Sequence, residues 1–123
     1  MSEKITVDLG NIQKTLFLPL WGRAHESQKA KPLLVDTAAQ VMIAKVDYDF
    51  SSLAADLTPL TQMAWIMRSI CTDTVLKVFL DKNPQAVIVN IGCGLDTTFE
   101  RVDNGRLTWY ELDLPDVIDL RRK

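Results

Sequence analysis

Hydrophobic residues in this chain change their spacing twice, and the changes divide it into regions. Residues 59–82 hold the longest regular pattern. Leu60, Met63, Ala64, Met67, Ile70, Cys71, Val75, Val78 and Phe79 recur at i, i+3, i+4 and i+7 over about five turns, which predicts a helix. Thr58 suits its N-cap, Pro59 suits its first position, and Asn83-Pro84 stops it. Residues 86–91, Ala-Val-Ile-Val-Asn-Ile, then form a short, nearly continuous apolar run rich in β-branched side chains. Such a run predicts a strand buried on both faces, as in a parallel sheet. It leads directly into Gly92-Cys93-Gly94-Leu95-Asp96. A short helix is expected over 96–102, a turn at Asp103-Asn104-Gly105, a second strand over 107–113, and a helix opened by Pro115.

The region before residue 59 is less regular. Residues 1–11 read as an extended or frayed arm. Residues 12–29 gather Ile12, Leu16, Phe17, Leu18, Leu20 and Trp21, and Pro19 is expected to break any helix there or to start it afresh. Asp36 is a good N-cap for a helix reaching Val46, and 47–52 read as a loop. Helices followed by strand, helix, strand and the start of a helix make the opening of an α/β sheet that stops early. Two parallel strands cannot cover both faces and both edges of such a sheet.

Composition narrows the class without choosing a function. The 123 residues are 47% hydrophobic and 24% charged, as in a globular domain, with 14 basic against 16 acidic side chains and a net charge of −2. That balance offers no electrostatic footprint for nucleic acid or an anionic membrane. One His and two Cys are too few for a structural zinc site or a disulfide framework, so no metal is expected. Free thiols and a polar start without a signal-peptide core make cytoplasmic residence the expectation.

The chemistry concentrates at Gly92-x-Gly94 and at Glu111 and Asp113, about 20 residues on. Glycines after a buried strand allow a tight bend and close ligand approach, and a carboxylate at the neighbouring strand end can accept both hydroxyls of a ribose. Thr97 stands where a dinucleotide fingerprint has its third glycine, and no phosphate-binding P-loop motif exists. The pattern therefore suits S-adenosylmethionine better than NAD or FAD. Glu111 and Asp113 share one strand face, so spacing leaves open which of them holds the ribose.

The segments VNIGCGLDTTFERV and WYELDLPDVIDLRRK resemble the leucine carboxyl methyltransferase family, including bacterial polyketide O-methyltransferases of the tetracenomycin type. Residues 88–101 and 109–115 carry the likeness most closely, and it extends over essentially the whole chain. The resemblance implies N-terminal helices followed by the first βαβ of a class I (Rossmann-like) methyltransferase fold, with S-adenosylmethionine as cofactor. It further implies that Gly92 and Gly94 form the cofactor loop, that Asp113 binds the ribose hydroxyls, and that Arg68 reaches the methionine carboxylate. Arg23 is a weaker second basic contact. Asp96 is expected to support the loop or cap the next helix. The acceptor would be a carboxylate or hydroxyl of a small molecule or a peptide C-terminus. A carboxylate needs no general base, and no catalytic side chain is assigned.

Family members run to roughly twice this length. One domain is therefore expected, with residues 1–84 as a helical segment and 85–123 as the start of the cofactor-binding sheet. The chain reads as an N-terminal portion that lacks activity on its own and pairs with a second copy through its incomplete sheet. The alternative is a non-catalytic helical interaction module whose glycine loop is only a turn. Among the remaining residues, Cys93 reads as a small filler of the bend, His25 as a surface or packing residue, and Trp21, Trp65 and Trp109 as core. Arg121-Arg122-Lys123 reads as a solvated helix face.

Overall fold

A computed structural model describes residues 3–7 and 15–123, apart from the side chain of Leu53. The extended arm expected over 1–11 is described only at 3–7, and Ile12 lies outside the described residues. At 3–7 the chain pairs in parallel with the segment around Val46: Ile5 N donates to Lys45 O at 2.8 Å, and Asp47 N to Ile5 O at 3.1 Å. The described chain divides into two compact units, residues 1–68 and 69–123.

The first unit contains α1 (Phe17–Ser27), α2 (Thr37–Lys45), α3 (Phe50–Ala54) and the first part of α4 (Pro59–Lys82). Pro19 does not break α1. It occupies the third helical position, in the first turn, where a missing N–H costs no intrahelical bond. Polar side chains of α1 organise the loop that follows. Glu26 accepts from Leu33 N at 2.9 Å, and Ser27 Oγ accepts from Asp36 N at 2.8 Å. Asp36 caps α2 as expected, taking Ala39 N at 2.9 Å, and its other carboxylate oxygen accepts from Arg23 Nε at 2.9 Å. The loop expected over 47–52 instead turns into α3, because the Asp49 side chain takes Ser51 N and caps a helical turn. Phe50 then reaches Phe17, with ring centroids 5.9 Å apart. Gly22 has a packing reason inside a helix: a Cβ there would stand 3.0 Å from the Trp65 ring.

Helix α4 begins as the sequence predicts, with Thr58 Oγ1 accepting from Thr61 N at 3.2 Å and Pro59 first. Its apolar stripe, however, is largely uncovered. Leu60, Met63, Met67, Val75, Val78 and Phe79 are exposed, whereas Ile66 and Leu80 are buried. Periodicity marks a face fit for burial without supplying what buries it.

The second unit holds the rest of α4, then β1 (Val87–Ile91), α5 (Thr98–Val102), β2 (Thr108–Leu112) and α6 (Pro115–Arg121). The two strands pair in parallel, from Val87 opposite Thr108 to Ile91 opposite Leu112. The expectation of a strand buried on both faces does not hold. Ile88, Asn90, Trp109 and Glu111 are half-buried on one face, while Val87, Val89, Ile91, Tyr110 and Leu112 on the other are exposed. The apolar run records a capacity for two-sided burial, and the described residues cover one side. On that side Phe99 of α5 packs against Trp109 at 5.8 Å, and Arg101 pairs with the buried Asp73 of α4 through two nitrogens, at 2.6 and 3.1 Å. Asn104 shapes the turn before β2 by accepting from Arg106 N and Leu107 N. Among the described residues no helix is long and apolar enough to cross a membrane, and no side-chain cluster could hold a metal ion.

Candidate functional site

Parallel pairing puts the C-terminal ends of β1 and β2 at the same edge of the sheet, so the segments leaving them are neighbours. The ladder runs on into the bend: Leu112 O accepts from Gly92 N at 2.7 Å and from Cys93 N at 3.2 Å. Gly92 and Gly94 then take φ of +65° and +52°, the left-handed region that L side chains avoid. A Cβ at Gly92 would meet nothing within 4 Å, so the bend there fronts open space.

Asp113 closes the other side. Its Oδ2 accepts from Gly94 N and its Oδ1 from Leu114 N, both at 2.7 Å. Short bonds from backbone N–H to a carboxylate are charge-assisted, and they fix this side chain against the bend. Each carboxylate oxygen keeps a second lone pair for another donor. Glu111 is committed elsewhere, since its Oε1 takes Arg121 Nη2 at 3.1 Å.

Asp96 supports the bend through side chains. It accepts from Asn90 Nδ2 and from Thr98 Oγ1, each at 2.9 Å, while its own N–H donates to Cys93 O at 2.9 Å. Cys93 is buried, and desolvation pushes its thiol up to about 11, opposed by Arg121 and reinforced by Glu111 and Asp113. The thiol stays protonated at neutral pH, which suits a filler of the bend and not a nucleophile.

Of the residues singled out from sequence, the structure brings Gly92, Gly94 and Asp113 together. Arg23 and Arg68 belong to the first unit. Arg23 is buried with its Nε on Asp36, and Arg68 is an exposed residue of α4. A groove of about 460 Å³ lies on the helix-covered side of the sheet, between Cys71, Val75, Ile88, Asn90, Asp96 and Trp109. Neither the two glycines nor Asp113 line it.

Arg121 is the residue that sequence reasoning missed. Its Nη1 donates to Gly94 O at 3.0 Å and to Asp96 O at 2.7 Å. A terminal basic run reads as a solvated face, but the available signal was spacing. Arg121 stands four residues after Val117, which is buried, and so shares its helix face.

A glycine bend at the end of one parallel strand, beside a carboxylate at the end of the next, is the geometry with which α/β proteins receive adenosine-containing ligands. The model of the leucine carboxyl methyltransferase family matches residues 17–123, and the chain belongs to that family. Among curated proteins it is similar to the tetracenomycin polyketide synthesis O-methyltransferase TcmP of Streptomyces glaucescens. That match is 31% identical and covers 96% of this chain and 43% of the relative. It is also similar to the S-adenosyl-L-methionine-dependent methyltransferase dpfgK of Gibberella zeae, at 29% identity over 98% of this chain and 43% of that protein. The chain thus spans less than half the length of these relatives. No solved structure matches it.

Proposed function

We propose that this chain carries the S-adenosylmethionine-binding portion of an O-methyltransferase, and that residues 85–123 open a class I, Rossmann-like sheet. One observation carries the reading: Asp113 is tied by Gly94 N–H to a left-handed glycine bend whose first glycine, Gly92, fronts open space. The residues suit the group. The bend lets the ligand approach bare main chain, and the free lone pairs of Asp113 can receive the two ribose hydroxyls. Arg68 is assigned the methionine carboxylate. Arg23 is the second choice, because Asp36 already engages its Nε.

When bound, the cofactor supplies a methyl group activated by a sulfonium. The protein's part is to hold that methyl in line with an acceptor oxygen and to exclude water. Glu111 is not proposed for the ribose, since Arg121 holds its Oε1 and its Oε2 is buried. Cys93 is assigned no chemical role, since burial disfavours its thiolate. The acceptor is proposed to be a small-molecule or peptide carboxylate or hydroxyl, and the setting to be cytoplasmic, in keeping with two free cysteines.

Calorimetric titration with S-adenosylhomocysteine tests the proposal. Saturable binding that Gly94→Val abolishes supports it. No binding by the folded chain, together with a partner captured on the exposed stripe of α4, favours the interaction-module reading. Among the described residues, the exposed sheet face and unpaired strand edges further support pairing with a second copy. Light scattering should show mass rising with concentration, and Val89→Lys should reverse the rise.

A further inference from the structure

The short helix after β2 sends one side chain back into the bend. Arg121 Nη1 bridges the carbonyls of Gly94 and Asp96, at 3.0 and 2.7 Å, while Nη2 reaches Glu111 Oε1 at 3.1 Å. The Arg121 and Glu111 side chains are only 15% and 19% exposed, so the pair is poorly screened. A guanidinium presents its donors in one rigid plane, and one nitrogen bridging two carbonyls two residues apart fixes their separation.

Gly94 is therefore held from both sides. Asp113 takes its N–H and Arg121 takes its C=O. A glycine in a left-handed bend has the largest conformational freedom to lose, and here two side chains from outside the bend remove it in advance. Glu111 anchors Arg121 through one of its two carboxylate oxygens.

We propose that Arg121 is a positioning residue for the cofactor loop: it holds Gly94 and Asp96 in the ligand-receiving shape and touches no reacting atom. The loop's ligand rests on the function proposed above, whereas the clamp is a property of the chain alone, so two measurements separate them.

The first is amide hydrogen exchange by NMR on the full chain, comparing Arg121→Gln, Arg121→Lys and Glu111→Gln with the unsubstituted protein. Gly94 and Asp96 amides should exchange about tenfold faster in Arg121→Gln and by less in Arg121→Lys, with Val89 and Tyr110 unchanged. A merely structural role would accelerate all four together, and unchanged Gly94 exchange would equally overturn the clamp. If Arg121→Gln unfolds, Arg121→Lys and Glu111→Gln carry the same comparison. The second is titration with S-adenosylhomocysteine, where affinity should fall about ten- to thirtyfold in Arg121→Gln as loop ordering is shifted onto binding. Equal affinity in all variants overturns the positioning role. Absence of binding by the unsubstituted chain sinks the proposed ligand and leaves the clamp to be decided by exchange.

Discussion

Replacing Asp113 by Asn tests the site most directly, because the two side chains have the same shape and differ in what they accept. In the structure both carboxylate oxygens are used, one by Gly94 N and one by Leu114 N, each at 2.7 Å. A carboxamide offers one oxygen. Whichever way it turns, its NH2 faces a second N–H, so one of the two ties is lost. A hydrogen bond to a charged acceptor contributes about 1.5–3 kcal/mol, and Asp113 is half-buried, so a stability loss of about 1.5 kcal/mol is expected. The same exchange leaves a ribose diol with one acceptor in place of two, which corresponds to roughly ten- to hundredfold weaker binding. Urea unfolding followed by circular dichroism reads the first effect, and calorimetry with S-adenosylhomocysteine reads the second. Glu100→Gln, an exposed carboxylate on α5, serves as the control. If Asp113→Asn binds within twofold of the unsubstituted chain, the ribose assignment is wrong. If its unfolding midpoint also stays put, the two ties to the bend carry no weight.

Other consequences can be checked on the same material. Cys71 is exposed and Cys93 is buried with its thiol raised to about 11, so iodoacetamide at pH 8 should label Cys71 alone until the fold is opened by urea, as read by mass spectrometry. An unfolded thiol ionises near pH 9 while the folded one keeps its proton. Stability is therefore independent of Cys93 below about pH 9 and falls by about 1.4 kcal/mol per pH unit from there to about 11, and Cys93→Ala should flatten that decline. Gly22→Ala improves helix propensity by about 1 kcal/mol, yet it drives a methyl to 3.0 Å from the Trp65 ring. The overpacking cost of about 1–3 kcal/mol should win, and a higher urea midpoint would refute the close contact.

Much of the backbone plan was legible because single residues encode it locally. Asp36 caps α2, Thr58 and Pro59 start α4, and Asn104 and Gly105 turn the chain into β2, each as its side-chain chemistry dictates. The bend was legible for the same reason, since left-handed backbone at 92 and 94 calls for glycine. Coverage was not. Val87, Val89 and Ile91 spell a strand able to be buried on both sides, and Met63, Val75 and Phe79 spell a helix face, but burial depends on what lies opposite. Helix α3 was missed because its cap, Asp49, sits in a stretch with no periodic run long enough to register. Proximity across many residues was equally hidden. Nothing local says that Arg121 meets a carbonyl 27 positions earlier.

The carbonyl of Leu112 serves two masters at once, ending the pairing of the strands and gripping the first two amides beyond them. Alignment of the strands and curvature of the segment that follows are consequently one variable. Slide β2 by a single position and Glu111 would trade sides with its neighbours, Asp113 would swing away, and Gly94 would lose its partner in the same stroke. Insertions or deletions within Thr108–Leu112 should therefore disturb strand pairing and bend together, whereas an added residue at the solvent-open turn around Asp103 should be absorbed there.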